Sequence, residues 1–414
     1  MITLLRGNLM PTDFSRLQVS TTPLLVLDRE TLERNLHVMQ ARCDAAGVKL
    51  RAHGKMHKCS TLAKLQIAKG AVGVCAQTVG EAEAFAGSGI ADILLTSPAS
   101  VKDVRRVAAL ATCGQFAAVV DDRILAEALG AAARARGVVL DLLVDIDLGQ
   151  RRTGVRANEA VEFAETIAAI SGTRFAGVQG YAGHLQHISD PSARILANDK
   201  ALGVLAAIVS DLRAANLAPQ TVSGGGTGTH TGDLAGGVFT EIQAGSYAVM
   251  DAQYGACGGP DGGTWPFSAA LALASTVVSA RHRTHVTVDA GFKALSADGP
   301  PAKILSGAAA GSLWFGMGDE HGAIFHPAAL RALEGKWQDP LAFGAGIAAA
   351  DVELPPPFDA PRLGGTVWLQ PGHCDPTINL HDAFFVAEPD GSWTRWPIDA
   401  RRRTSEPVTS AGAQ

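Results

Sequence analysis

Along its first 250 residues the chain alternates short apolar runs with longer stretches in which apolar residues recur every three or four positions. Thr22 to Asp28 reads as an apolar strand, and Arg29 to Ala46 carries Leu32, Leu36 and Met39 at helical spacing. A strand–helix rhythm follows, with strand-like runs at 49–54, 73–78, 92–97, 115–121, 139–147, 175–183, 221–224 and 241–248. Most of the segments between them are Ala-rich with helical periodicity, as in Arg123 to Gly137 and Asn158 to Ile170. Alternating strands and helices predict parallel βα units, and eight such runs predict an α/β fold built on a (β/α)8 TIM-type barrel.

The rhythm breaks at a Gly-rich stretch, Gly255 to Gly263, which reads as a linker. Beyond it come β-type runs without regular helices: Ala272 to Ala280, Thr284 to Asp289, Gly364 to Leu369 and Ala383 to Val386. These predict a C-terminal, mostly-β domain over 261–403 after a barrel domain over 22–260, with the strand at 22–28 placed to be shared with the β domain. Residues 1–20 read as an irregular lead-in, 337–361 as a loop or insertion rich in Ala and Pro, and 404–414 as a disordered tail.

Composition narrows the function classes. The 414 residues are 47% hydrophobic and 18% charged, with a formal net charge of -5, so the chain is expected to fold into a large core. The one basic block, Arg401-Arg402-Arg403, is too small to suggest nucleic acid or an anionic membrane as partner. No run is long and apolar enough to span a bilayer, and the start lacks a signal-peptide pattern. The six cysteines are scattered without CxxC pairs, which suits reduced thiols and a cytoplasmic location.

Three stretches carry candidate chemistry. Arg51 to Lys58 ends a predicted strand with a lysine between two histidines. A desolvated lysine there is a usable amine for a Schiff base with a carbonyl substrate or with pyridoxal phosphate (PLP), and a solvated basic loop is the plainer alternative. The segment Val222 to Thr229 follows another strand, and its glycines and threonines could cradle a phosphate, with Ala244-Gly245-Ser246 at the next strand end as a second phosphate contact. In Pro371 to Thr377, an extended backbone would point His373 and Asp375 together and Cys374 away. That pair suits Mn²⁺, Mg²⁺ or Zn²⁺ in an open site, against the alternative of a polar turn. Asp319-Glu320-His321 is a further polar cluster that reads equally well as a solvated turn.

Taken together, HGKMHK at 53–58, GQRRTG at 149–154, QGYAGHLQH at 179–187, SGGGTGT at 223–229, QAGSYAVMDAQYG at 243–255, VDAGFK at 288–293, DEHG at 319–322 and PGHCDPTINLHD at 371–382 resemble the D-threonine aldolase/D-serine dehydratase branch of the alanine-racemase-type (fold type III) PLP enzymes. The resemblance implies a PLP barrel followed by a β domain that residues 1–21 join, in a homodimer. It implies Lys55 as the Schiff-base lysine, Arg152 near the ring's phenolic oxygen, and Gly225, Gly226, Thr227, Gly245 and Ser246 around the phosphate. Tyr181 and His187 would line the substrate side, and His373 with Asp375 would bind the metal, Mn²⁺ first among the candidates.

Departures from the wider superfamily sharpen the expectation. Where racemases carry a catalytic tyrosine, the stretch Val288 to Lys293 has Phe292, which cannot transfer a proton. Where racemases point an arginine at the pyridine nitrogen, the aligned position is Gln243. Dehydratases of the branch carry a histidine and a cysteine two residues apart, whereas Asp375 follows the aldolase pattern. The expected reaction is retro-aldol cleavage of a D-3-hydroxy amino acid, D-threonine giving glycine and acetaldehyde. His187 or a water on the metal would take the hydroxyl proton. A D-3-hydroxyaspartate aldolase is the first alternative, needing a cation such as Arg51, His184 or Lys293 for the second carboxylate. A D-serine or D-3-hydroxyaspartate dehydratase is the next, and a PLP-binding carrier or regulator the non-enzymatic one.

Overall fold

The computed structural model describes residues 12–260, 262–336, 340–355, 357 and 359–401. After a 3-10 turn at Phe14–Arg16 come strand β1 (Leu24–Asp28) and the helix Arg29–Ala46. Eight strands then close into a barrel: β2 (Lys49–His53), β3 (Gly73–Ala76), β4 (Asp92–Leu95), β5 (Gln115–Val120), β6 (Leu140–Ile146), β7 (Thr173–Gly180), β8 (Thr221–Gly224) and β9 (Glu241–Ile242). All neighbours are parallel, and β2 pairs with both β3 and β9. These are the eight runs read from the sequence, so the fold is the expected (β/α)8 barrel.

Local chemistry sets its helices. In Arg123–Ala135, Asp122 caps the first turn by accepting from the N–H groups of Ile124 and Leu125, while Leu125, Leu129 and Ala133 form the buried stripe. Inside the barrel, Cys75, Leu94, Val119, Leu143 and Ala176 make an apolar layer. At the N-terminal ends of the strands a cavity of about 530 Å³ is lined by Arg51, Asp92, Asp141, Arg174 and Glu241 among others. The chemistry of such barrels lies at the other end.

The barrel strands belong to one compact unit (residues 40–186, 192–245 and 398–401) and a second unit holds residues 12–39, 187–191 and 246–397. The second unit is built on a nine-stranded sheet that contains β1 and adds β10 (Leu271–Ser279), β11 (His285–Val288), β12 (Lys303–Ser306), β13 (Leu313–Gly316), β14 (Gly322–Phe325), β15 (Thr366–Gln370), β16 (Ala383–Ala387) and β17 (Trp393–Pro397). The order is β13-β14-β11-β10-β1-β16-β17, and β15 pairs with β10 and β12. Strand β1 is antiparallel to β10 and parallel to β16. Phe14 is buried with Val26, Ala272, Ala274 and Trp368.

Two expectations for this unit are corrected. It does contain helices, at Pro327–Ala332, Pro340–Glu353 and Cys374–Ile378. The second of these occupies the stretch read as a loop. Its Ala- and Gly-rich sequence hides the periodicity, but Phe343 and Ile347, one turn apart, pack on Ala323, Phe325, Ala329 and Leu333. Strands β12, β13, β14 and β17 went unread, and β17 is exposed at four of its five positions, so no apolar run marks it. The tail at 404–414 lies outside the described residues. No helix among the described residues is long and apolar enough to cross a membrane.

Candidate active site

Lys55 stands on a 3-10 turn, Gly54–Met56, directly after β2. The turn is held from both sides. His53 Nδ1 accepts from the N–H of Lys55 at 3.4 Å, and His53 Nε2 lies 3.1 Å from Thr96 Oγ1. Because Thr96 Oγ1 itself donates to the Ala76 carbonyl, Nε2 must carry the hydrogen, and the ring is the neutral Nε2–H tautomer. Burial pushes His53 well below the ordinary imidazole range, and the neighbouring Lys55, His57 and Arg152 act in the same direction. His57, fully buried, accepts from the N–H of Cys59 and meets Gln66 Oε1 at 3.2 Å. The two histidines that flank the lysine in sequence are therefore structural caps. Gly54 is required by space: a Cβ there would lie 2.5 Å from Phe85 Cζ. Lys55 is half-buried, and the backbone of Lys58 turns left-handed (φ 48°) beside it.

Around the same end of the barrel lies a polar layer that the sequence did not announce. Gln179 Nε2 donates to the Thr96 carbonyl and to Asp145 Oδ1, so its Oε1 faces Gln243 as an acceptor. Ser223 Oγ donates to Glu241 Oε1. Gln243 Nε2 accordingly donates to both Gln179 Oε1 (3.0 Å) and Ser223 Oγ (2.9 Å), which fixes its amide orientation and leaves its oxygen as the group on offer. Burial raises Asp145 to about 6 against the hydrogen bonds from Thr153 and Gln179. The guanidinium of the exposed Arg152 lies 5.5 Å from the centre of the Tyr181 ring, so the loops after β6 and β7 bring these two predicted residues together.

After β8 the glycine loop is braced from below by a buried carboxylate. Asp233 Oδ2 accepts from the N–H of Gly226 (3.1 Å) and from Thr229 Oγ1 (2.6 Å), and its Oδ1 accepts from Asn198. Gly225 adopts φ 67°, and a Cβ there would sit 2.5 Å from Asp233 Oδ2; one on Gly226 would meet Gln186 Oε1 at the same distance. Gly228 donates its N–H to Gln186 Oε1. The loop thus fits a phosphate cradle in its small residues and close backbone, while the Gly226 N–H is turned to Asp233. Gly245 passes close to the lysine turn, its hypothetical Cβ only 3.3 Å from His53 Cβ and 3.4 Å from Met56 Cβ. Ser246 follows at the head of a 3-10 turn, Ser246–Ala248.

In the sheet unit, His373 and Asp375 come together, though not through the extended backbone expected. His373 is the extended N-cap residue of a short helix, Cys374–Ile378, and Asp375 lies in its first turn. His373 Nε2 stands 3.9 Å from Asp375 Oδ1, and its Nδ1 stands 2.8 Å from Asp298 Oδ2. Cys374 does not simply point away, because the helical turn brings its thiol to donate to Asp375 Oδ1 at 3.4 Å. Its N–H donates to the buried Asp251 Oδ2, and burial, with the Asp251 and Asp375 charges, pushes the thiol well above its ordinary value. The His187 ring lies 6.4 Å from that of His373 and 4.4 Å from that of Tyr254.

Among the described residues no three or more His, Cys, Asp or Glu gather as a metal cluster. What the pair offers is an open two-donor set. At 3.9 Å, Nε2 and Oδ1 are too far apart for a hydrogen bond and close enough for both to reach one cation at about 2.0–2.2 Å, with water filling the other positions. Asp298 lies 75 positions from His373, so no local pattern could have found it. Asp233 was more legible, since it follows the glycine loop within its short helix, His230–Ala235.

The chain is similar to known proteins over most of its length. The alanine racemase N-terminal domain matches residues 27–253, and a serine dehydratase domain matches residues 270–387. A D-threonine aldolase from an Arthrobacter species is 36% identical over 388 residues, 92% of each chain. A 3-hydroxy-D-aspartate aldolase from Paracoccus denitrificans (strain Pd 1222) is 36% identical over 392 residues, again 92% of each. Among solved structures, the D-threonine aldolase of Filomicrobium marinum superposes with a TM-score of 0.80 at 34% identity, over 92% of this chain and 96% of that one. The chain belongs to the alanine-racemase-type family, in the branch of the D-threonine aldolases and D-serine dehydratases.

Proposed function

We propose that the protein is a carbon–carbon lyase that cleaves D-3-hydroxy amino acids, D-threonine to glycine and acetaldehyde, with pyridoxal phosphate and a divalent cation. One observation carries the reading: His373 Nε2 faces Asp375 Oδ1 in a chain 36% identical to a D-threonine aldolase. A histidine–carboxylate pair suits Mn²⁺, with Mg²⁺ or Zn²⁺ as alternatives.

Lys55 would hold the cofactor covalently through Nζ, on a turn that neutral His53 keeps in place. Arg152, lying against Tyr181, would meet the phenolic oxygen, and Gly225, Gly226, Thr227, Gly245 and Ser246 would surround the phosphate. Gln243 would face the ring with its oxygen, since its amide nitrogen is committed. Bound pyridoxal phosphate supplies the electron sink for the pair left on Cα when the Cα–Cβ bond breaks. A bound cation supplies Lewis acidity that lowers the pKa of the β-hydroxyl. His187, whose ring lies beside that of His373, or a water on the cation would accept the hydroxyl proton, and Tyr181, against Arg152, would line the substrate side. Phe292, where racemases hold a tyrosine, has no proton to exchange.

The similarity to a 3-hydroxy-D-aspartate aldolase favours a second reading, in which a cation receives the substrate's distal carboxylate. Of the three cations considered for it, Arg51 is paired with Asp92 and Glu241 toward the N-terminal end of the barrel. Lys293 is paired with Glu320 and Asp319, which leaves His184. This distribution favours the uncharged side chain of D-threonine. The reading carries with it a homodimer and a cytoplasmic location.

The test is acetaldehyde release from D- and L-threonine by protein supplied with PLP, before and after chelation of metal. Release from the D-isomer alone, lost on chelation and restored by Mn²⁺, is expected. Faster release from the L-isomer, or indifference to chelation, would overturn it.

A further inference from the structure

We propose that Asp298 is a positioning residue for the cation, holding His373 in the one tautomer and ring orientation that turn Nε2 toward Asp375. The inference rests on the reading of His373 and Asp375 as the metal pair.

The tautomer follows from the contact. Asp298 Oδ2 lies 2.8 Å from His373 Nδ1. A carboxylate can only accept, so Nδ1 carries the hydrogen, and in the neutral ring that binds metal Nε2 keeps the lone pair. Nε2 is the atom that faces Asp375 Oδ1. The two ring nitrogens diverge, so a carboxylate bound at Nδ1 cannot share one cation with Nε2. Asp298 is thereby an orienting group, as carboxylates behind metal-bound histidines are.

The loop that carries Asp298 is fastened to the His373 segment at several points. Ser296 N–H donates to Thr377 Oγ1, near the far end of the short helix, and the Asp298 N–H donates to Ser296 Oγ. Gly299, at φ 88°, passes so close that a Cβ there would lie 3.2 Å from His373 Cβ. A Cβ on Gly372 would collide with the Pro300 carbonyl at 1.8 Å. The backbone of the loop is therefore packed on the segment without help from the Asp298 side chain, which is 70% exposed. A pair with so exposed a carboxylate adds little to stability, so a structural role alone would leave little to detect.

The experiment is a Mn²⁺ titration followed by the electron paramagnetic resonance signal of the free ion, on wild type, Asp298→Ala, Asp298→Asn and Asp375→Ala, with thermal unfolding of each metal-free protein as a control. Asp298→Ala should weaken binding about 10- to 100-fold with an unchanged melting temperature. Asp298→Asn, whose amide oxygen still accepts from Nδ1–H, should recover the larger part, and Asp375→Ala should lose binding. Equal affinities for Asp298→Ala and wild type would overturn this inference alone. So would an Asp298→Ala loss as complete as that of Asp375→Ala without recovery in Asp298→Asn, which would make Asp298 a ligand. Wild type that binds no Mn²⁺ would overturn the metal reading itself, and this inference with it.

Discussion

Replacing Asp233 by asparagine should change how stability depends on pH, and the sign can be worked from its surroundings. The carboxyl is buried beneath the glycine loop, and burial raises it from the ordinary 3.8 to about 6 despite donors from Thr229, Asn198 and Gly226. The fold therefore prefers the protonated acid. The stabilisation this gives is complete below 3.8, the unfolded value, and is lost as pH rises through about 6. At about 1.4 kcal/mol per pH unit, the span amounts to about 3 kcal/mol, of which about 2 fall between pH 4.5 and 7.5. Other groups titrate in the same range, notably His230 and His285, both lowered to about 4 by burial, and they act in the opposite direction. Only the comparison with the variant isolates Asp233, because asparagine does not titrate. Urea denaturation of wild type and Asp233→Asn across that range should show wild type losing about 2 kcal/mol relative to the variant as pH rises. Parallel profiles would mean that Asp233 is ionised in the fold at low pH, and that the donors around it outweigh its burial.

Lys55→Ala should abolish the visible absorbance of lysine-bound PLP and let gel filtration remove added cofactor; covalent retention would move the attachment to another amine. Gly54→Ala places a Cβ 2.5 Å from the Phe85 ring and should cost about 1–3 kcal/mol, read by thermal unfolding. An unchanged midpoint would show that the turn has more room than its packing indicates. Arg51→Met strands Glu241 and Asp92 without their cation, for about 3–5 kcal/mol of stability. The ratio of D-3-hydroxyaspartate to D-threonine turnover should be unchanged in what remains folded, and a selective loss on the former would return Arg51 to the substrate site.

The barrel was legible because strands buried on both faces read as apolar runs, and because the helices between them, such as Arg123–Ala135, keep a clean stripe. Pro340–Glu353 was not, since its identity comes from packing of Phe343 and Ile347 on a core assembled from other parts of the chain. The site divides in the same way. Lys55, the glycine loop and the His373–Asp375 pair are local patterns and could be named from spacing. The bond of Asp298 to His373 and the relay from Gln243 through Gln179 to Asp145 join residues far apart in sequence, and only the closed fold brings them together. The geometry of the pair differs from the extended pattern, for His373 and Asp375 meet through an N-cap and the first turn of a helix.

The decisive measurement is a full product balance after incubating the protein with PLP, Mn²⁺ and D-threonine. Equal amounts of glycine and acetaldehyde, with none from L-threonine, are predicted. 2-Oxobutanoate and ammonia in their place would contradict the aldolase assignment and show that Asp375 can serve β-elimination.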